Sequence, residues 1–229
     1  KSSFKIAFDI INNGISTKLI NGPISKKNFL KKSYLGITEF LTEKFKSKFN
    51  AMLIYNKELS VCPITTHQPI KSVPYSINKK NIFNKIVLIN DFYKTNFGFK
   101  PKIAITGLNP HCESIDDFNE DEKILTPVVK KLKKKYFVSG PFPADTIFLK
   151  KNRKKFNVIV GMYHDQVLTP MKTLYEYDAI NITLGLPFMR ISPDHGPNEK
   201  MLGKNKSDPT SLIKAINFLD KNWFTLKKV

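Results

Sequence analysis

The chain reads as an α/β protein. Alternation carries that reading: short apolar runs alternate with amphipathic stretches along the whole sequence, as strand and helix do in α/β folds, and three of the four histidines fall in the breaks after the expected strands. No repeat or low-complexity linker interrupts the pattern.

The strands are expected at Lys18–Ile24, Ala51–Tyr55, Leu59–Thr65, Lys102–Leu108, Phe137–Ser139, Asn157–Met162 and Ala179–Leu184. Each is a short apolar or β-branched run bounded by polar, Gly or Pro residues. Helices are expected at Ile37–Lys48, Lys79–Asn96, Glu120–Lys135, Ala144–Asn152 and Pro209–Asn222. The last opens Ser207-Asp208-Pro209, a capping residue followed by proline at the first helical position.

Composition bounds the class. At 229 residues with 41% hydrophobic content, the chain can bury a sizeable core in one large domain or two small ones. No apolar run approaches the roughly 18 residues that cross a bilayer, and Lys1 to Asn13 lack the apolar centre of a secretory signal. The expectation is a cytoplasmic protein with no membrane partner. Of its two cysteines, Cys62 lies in an apolar run and reads as a buried thiol, and Cys112 reads as a spacer.

The net charge of +19 raises nucleic-acid binding, which the distribution argues against. Nearly all of the charge is lysine, spread in short runs such as Lys130–Lys131 and Lys133–Lys135. Arg153 and Arg190 are the only arginines, and Arg does most base reading. No nucleic acid is expected, although a basic field can attract a phosphorylated substrate.

The chemistry concentrates where strands end. Leu59–Thr65 runs into Thr65-Thr66-His67-Gln68-Pro69, Lys102–Leu108 into Gly107-Leu108-Asn109-Pro110-His111, and Asn157–Met162 into Tyr163-His164-Asp165-Gln166. Ligand sites of open α/β sheets lie beyond the carboxyl ends of strands. If these strands are parallel neighbours, the three imidazoles can converge. Three histidines with one open position form a known catalytic zinc arrangement, although three imidazoles also accept cobalt, nickel or iron. Asp165 and Asp145 are candidate partners for the outer ring nitrogens of the ligands. One lone histidine would more often be an unrelated loop residue. Three at strand ends shift the balance, although their long separations are not a local metal motif.

The words around these residues resemble the 4-hydroxythreonine-4-phosphate dehydrogenase family of pyridoxal phosphate biosynthesis. The signature stretches are Gly107 to His111, Gly140-Pro141-Phe142-Pro143-Ala144-Asp145-Thr146, Met162 to Gln166, and Asn181-Ile182-Thr183-Leu184-Gly185-Leu186-Pro187-Phe188-Met189-Arg190. Thr65 to Ile70, Gly22-Pro23-Ile24-Ser25-Lys26 and Asp194-His195-Gly196 follow the same order. The resemblance covers almost the whole chain.

It implies two α/β/α domains around a cleft, akin to isocitrate and isopropylmalate dehydrogenases. Residues 1–40 with 188–229 would form the remainder of the terminal domain, and 41–187 a central domain carrying the metal histidines and a homodimer interface with a shared active site. One divalent metal (zinc, cobalt or magnesium) would be held by His67, His111 and His164. Thr38, Lys172, Asn181 and Arg190 would contact substrate, with Asp145 and Lys172 catalytic. Asp194, His195 and Gly196 would lie at the NAD site. The implied reaction is NAD-dependent oxidation of 4-phosphooxy-L-threonine, then decarboxylation to 3-amino-2-oxopropyl phosphate. Two of these residues also stand out unaided: Arg190 follows a long apolar run, and Asn181 is a polar residue inside a strand.

The chain also departs from the family. The family extends further at its amino end, so this chain is expected to begin within the first domain. Ile37 stands where the family has a substrate-binding histidine. Cys112-Glu113-Ser114-Ile115-Asp116-Asp117 replaces a glycine-rich acidic stretch, and Pro197-Asn198-Glu199-Lys200 replaces a small apolar run near the dinucleotide. Two alternatives stay open. One is a dehydrogenase of a four-carbon acid-sugar phosphate such as threonate or erythronate phosphate. The other is a degenerate, metal-binding homologue without activity.

Overall fold

The computed structural model describes residues 2–25, 34, 36–197 and 199–221. Lys26, Asn198 and Asn222, which fall in the expected motifs and the last helix, lie outside them. The chain is α/β and divides into two compact units: Lys1–Asn50 with Glu176–Val229, and Ala51–Tyr175.

The first unit opens with a helix absent from the sequence-based reading, α1 (Ser2–Asn12), followed by β1 (Lys18–Ile20) and α2 (Ile37–Lys44). Aromatic packing explains α1. Phe8 is buried and meets Phe45 edge-on at 5.1 Å between centroids, and Phe45 in turn meets Phe188 at 4.7 Å.

The second unit contains β2 (Ala51–Tyr55), β3 (Ser60–Thr65), α3 (Val73–Ser76), α4 (Lys79–Phe97), β4 (Ile103–Thr106), α5 (Thr126–Leu132), β5 (Val138–Phe142), α6 (Ala144–Ile147), α7 (Lys150–Arg153), β6 (Val158–Tyr163) and α8 (His164–Tyr175). Its strands lie in the order β2-β3-β6-β4-β5. β2 and β3 are antiparallel, whereas β3, β6, β4 and β5 run parallel. The continuous apolar run Val158-Ile159-Val160 is fully buried, as are Ile103, Ala104 and Ile105 beside it. Such runs belong to parallel strands covered on both faces.

Helix α4 supplies part of that cover. Ile82, Ile86 and Ile89 recur at helical spacing and are fully buried. Asn78 caps the start by accepting from the backbone N–H of Asn81 at 2.9 Å, and Gly98, at φ 76°, ends the helix.

Two expected helices are not continuous. The Glu120–Lys135 run opens as a π turn, Asp121–Leu125, before α5. Pro127 has no N–H to donate and its ring crowds the preceding turn. The Ala144–Asn152 run breaks at Leu149, whose backbone is extended. Side chains cap the freed carbonyls: Asn152 donates to Thr146 O at 2.9 Å, and Arg153 to Phe148 O at 3.0 Å.

The chain then returns to the first unit with β7 (Ile180–Leu184), β8 (Met189–Pro193) and α9 (Thr210–Lys221). β8 pairs parallel with β1 and antiparallel with β7. The Asp208 carboxylate accepts from Thr210 N at 2.8 Å at the start of α9. Hydrogen bonds from the Thr210 side chain first, and then from its backbone N–H, hold the Asp208 carboxyl below its usual range.

Candidate functional site

The expected site residues fall into two groups, one in each unit. In the second unit, β6 lies between β3 and β4, and all three run parallel. The segments following their carboxyl ends carry His67, His164 and His111. The topological condition for convergence is therefore met.

The side chains go only part of the way. The His67 and His164 rings lie 5.6 Å apart, tilted by 41°. His164 is the first residue of α8, a helix absent from the sequence-based reading because it starts at the strand end with no intervening loop. Its Nδ1 lies 2.6 Å from Asp165 Oδ1, so Asp165 can orient the ring. His111 is exposed, in a short 3-10 turn (Pro110–Cys112), with a left-handed backbone at φ 55°.

Among the described residues, no group of three His, Cys, Asp or Glu side chains is gathered closely enough to hold a metal. Imidazoles beyond three adjacent parallel strands, two of them paired, match a divalent metal in donor chemistry and in place on the sheet. His111 does not complete a three-donor group with that pair.

Asp145 is exposed in the first turn of α6. Its charge reaches Cys112, whose thiol is pushed up to about 11 by burial first, then by Asp121, Asp145 and Glu113. Lys172 is half-buried on α8, roughly 12 Å along the helix axis from His164 at ~1.5 Å per residue.

Two side chains that hold this end of the sheet carry no obvious mark in the sequence. Asp121 is 1% exposed. Its Oδ1 accepts from Leu108 N at 2.8 Å, and its Oδ2 from Asn109 N and Asn109 Nδ2, each at 3.0 Å. Gln166 accepts through Oε1 from Met162 N at 2.7 Å and Thr106 Oγ1 at 2.8 Å, and donates through Nε2 to Gly107 O at 2.8 Å.

Both need glycine nearby. A Cβ on Gly107 would stand 2.6 Å from Asp121 Oδ1 and 2.7 Å from Cys112 Sγ, and one on Gly161 would stand 2.9 Å from Gln166 Oε1. These glycines were the available signal. Bonds between side chains and distant backbone leave no periodicity to read.

In the first unit, Arg190 is 1% exposed on β8. Its Nε donates to Asn21 Oδ1 at 2.7 Å and its Nη1 to Thr183 Oγ1 at 3.0 Å. Both acceptors are neutral, and no carboxylate among the described residues pairs with it. Burial lowers the guanidinium to about 10.

Asn181 and Thr183 face Ser192 and Arg190 across the β7–β8 ladder, and alternation puts the four on one face. Asn181 Oδ1 is buried and has no hydrogen-bond partner. Arg190 is thus a buried cation held by neutral acceptors, on the same sheet face as an unused carbonyl oxygen.

Thr38 is buried in the first turn of α2. Ile37, the first residue of that helix, is half-buried behind Gly36. Asp194, buried after β8, anchors its backbone N–H on Ser211 Oγ at 2.9 Å. His195 Nδ1 lies 3.1 Å from Gly196 O, and its ring meets Tyr177 edge-on at 5.9 Å.

Known proteins carry the same sequence pattern and fold. Residues 2–219 match the family described as pyridoxal phosphate biosynthetic protein PdxA. The 4-hydroxythreonine-4-phosphate dehydrogenase of Sulfurihydrogenibium sp. is 46% identical over 204 residues, covering 86% of this chain and 62% of that protein. The enzyme of that name from Aquifex aeolicus is 38% identical over 209 residues, covering 90% and 64%. This chain thus spans less than two thirds of the length of either relative.

The crystal structure of 4-hydroxythreonine-4-phosphate dehydrogenase from Klebsiella pneumoniae matches with a TM-score of 0.78 at 30% identity, covering 93% of this chain and 67% of the other. A terephthalate 1,2-cis-dihydrodioldehydrogenase from Burkholderia xenovorans shares the fold, with a TM-score of 0.68 at 22% identity over 94% of this chain and 70% of the other. The match across residues 2–219 and the identity to curated relatives lead to one conclusion: the chain belongs to the PdxA family of pyridoxal phosphate biosynthetic proteins.

Proposed function

We propose that the protein is an NAD-dependent dehydrogenase of 4-phosphooxy-L-threonine. It oxidises the C3 hydroxyl, and the resulting β-keto acid loses carbon dioxide to give 3-amino-2-oxopropyl phosphate. The observation that carries this reading is Arg190: a buried guanidinium without a carboxylate partner among the described residues, beside the unpartnered oxygen of Asn181. The substrate offers both counterparts, an anionic phosphate or carboxylate for Arg190 and an ammonium donor for Asn181. A guanidinium fork binds such oxyanions bidentately.

Lys172 and Asp145 are the proposed catalytic groups of the histidine end. Lys172 would neutralise or relay charge, and Asp145 would supply a carboxylate near the His111 turn. Thr38 joins Asn181 and Arg190 as a substrate contact. Asp194, His195 and Gly196 form the proposed NAD edge. A divalent metal held by His67, His111 and His164 would act as a Lewis acid toward oxygen that gains negative charge. We also propose a homodimer with a shared active site, which would bring a third imidazole to the His67–His164 pair.

A second reading draws on Ile37. An apolar residue opening α2, where the family has histidine, suits a substrate with different polar groups, such as threonate or erythronate phosphate. NAD reduction measured on the full-length protein with 4-phosphooxy-L-threonine and with phosphorylated threonate separates the two. The expected result is turnover of the first, lost with a chelator and restored by metal. Preference for threonate phosphate would establish the second reading. Metal-loaded protein that turns over neither would leave the inactive homologue.

A further inference from the structure

We propose that Asp121 and Gln166 together brace the two turns carrying His111 and His164, acting as positioning residues for the metal ligands. The proposal rests on the metal reading above, and the brace centres on Gly107. That residue directly follows β4 and leads into the Leu108-Asn109-Pro110-His111 turn. Gln166 grips its carbonyl from one side, and the Asp121 carboxylate fills the space its missing side chain leaves on the other.

Gln166 is the third residue of α8, two positions after His164. Its oxygen accepts from Met162 N, two positions before His164, and from Thr106, the last residue of β4. One amide therefore ties the His164 turn to the start of the His111 turn.

Asp121 acts on the rest of that turn. Three N–H bonds from Leu108 and Asn109 converge on its two oxygens. Only a carboxylate presents two acceptors there, because asparagine would turn an NH2 against an N–H donor. A buried carboxylate is costly to desolvate, and no cation among the described residues pairs with this one. The charge is held by turn donors alone.

The turn needs such restraint. His111 and Cys112 both adopt left-handed backbone, at φ 55° and 65°. Non-glycine residues persist there when their surroundings over-determine them.

The test compares Asp121→Asn, Gln166→Met and a remote core variant, Ile89→Val, in the full-length protein. Zinc affinity is measured by competition with a chromophoric chelator, folding by thermal denaturation, and the metal-free site by histidine ring NMR. Both brace variants should bind zinc about tenfold more weakly, the lower end of the ten- to hundredfold range for groups that support metal ligands. Ile89→Val should lose stability and keep its zinc affinity.

Without metal, Asp121→Asn should shift the ring signals of His164, and Gln166→Met those of His111, each across Gly107. Unchanged zinc affinity with no shift in the opposite ring would overturn the brace. If the wild type itself binds no zinc, the metal reading fails, and the ring signals alone decide the brace. Should Asp121→Asn fail to fold, Gln166→Met carries the same test.

Discussion

A buried guanidinium bonded only to neutral partners is an uncommon expense for a fold, and the proposed substrate contact rests on Arg190. Lysine there would keep the charge and lose the fork. Arg190→Lys is expected to lower kcat/KM by about tenfold or more, the equivalent of the ~1.5–3 kcal/mol for a hydrogen bond to a charged group. Steady-state kinetics checks it, and an unchanged value would remove Arg190 from the site. The same burial sets a pH limit. Below about 10 the guanidinium is charged and its desolvation counts against the fold. That penalty is relieved as pH rises from about 10 toward 12.5, where the unfolded chain still holds the proton. Phosphate binding, followed by calorimetry, should therefore hold at neutral and mildly alkaline pH and weaken above about 10. Ile37→His should raise kcat/KM for 4-phosphooxy-L-threonine by about tenfold through a new charge-assisted bond. A fall would mean that the site has repacked around isoleucine. Single residues were unevenly legible. Arg190 and Asn181 stood out by rarity and by polarity inside a strand, whereas Asp121 and Gln166 did not, because most of what they bind lies more than ten residues away.

Among the elements, those with a strong period or a clear cap emerged best. Helix α4 has isoleucines at helical spacing, Asn78 before it and Gly98 after it, and its expected end at Asn96 is one residue short. The Gly98 backbone is left-handed, and Gly98→Ala should cost about 1 kcal/mol or more of stability. Urea denaturation measures this, and no loss would mean that the helix end rearranges freely. Elements without such signals were missed. β8 follows a Gly185-Leu186-Pro187 turn so closely that its apolar run merges with the strand before it. Helix α8 contains Pro170 and begins at the residue directly after a strand. Its omission hid the fact that His164, Gln166 and Lys172 share one rigid element.

At the scale of the whole molecule, the α/β class was readable from alternation alone, while the assembly was not. A homodimer is expected, because the proposed metal site is incomplete within one chain. Sedimentation of the full-length protein should give a dimer mass at micromolar concentration, and a fully active monomer would contradict it. The order β3-β6-β4 also has a kinetic side. β6 is synthesised long after both of its neighbours, and Val61 must wait for Ile159 to pair with it. Until then β3 and β4 each present an unpaired edge, a template for wrong pairing with another chain, and so long a sequence separation slows closure. On the ribosome, the gap closes only when β6 emerges, and His164 emerges immediately behind it. A nascent chain stalled before that strand holds two sticky edges and only one of the paired imidazoles, His67, so protection from aggregation and the first geometry of the site arrive in a single late step.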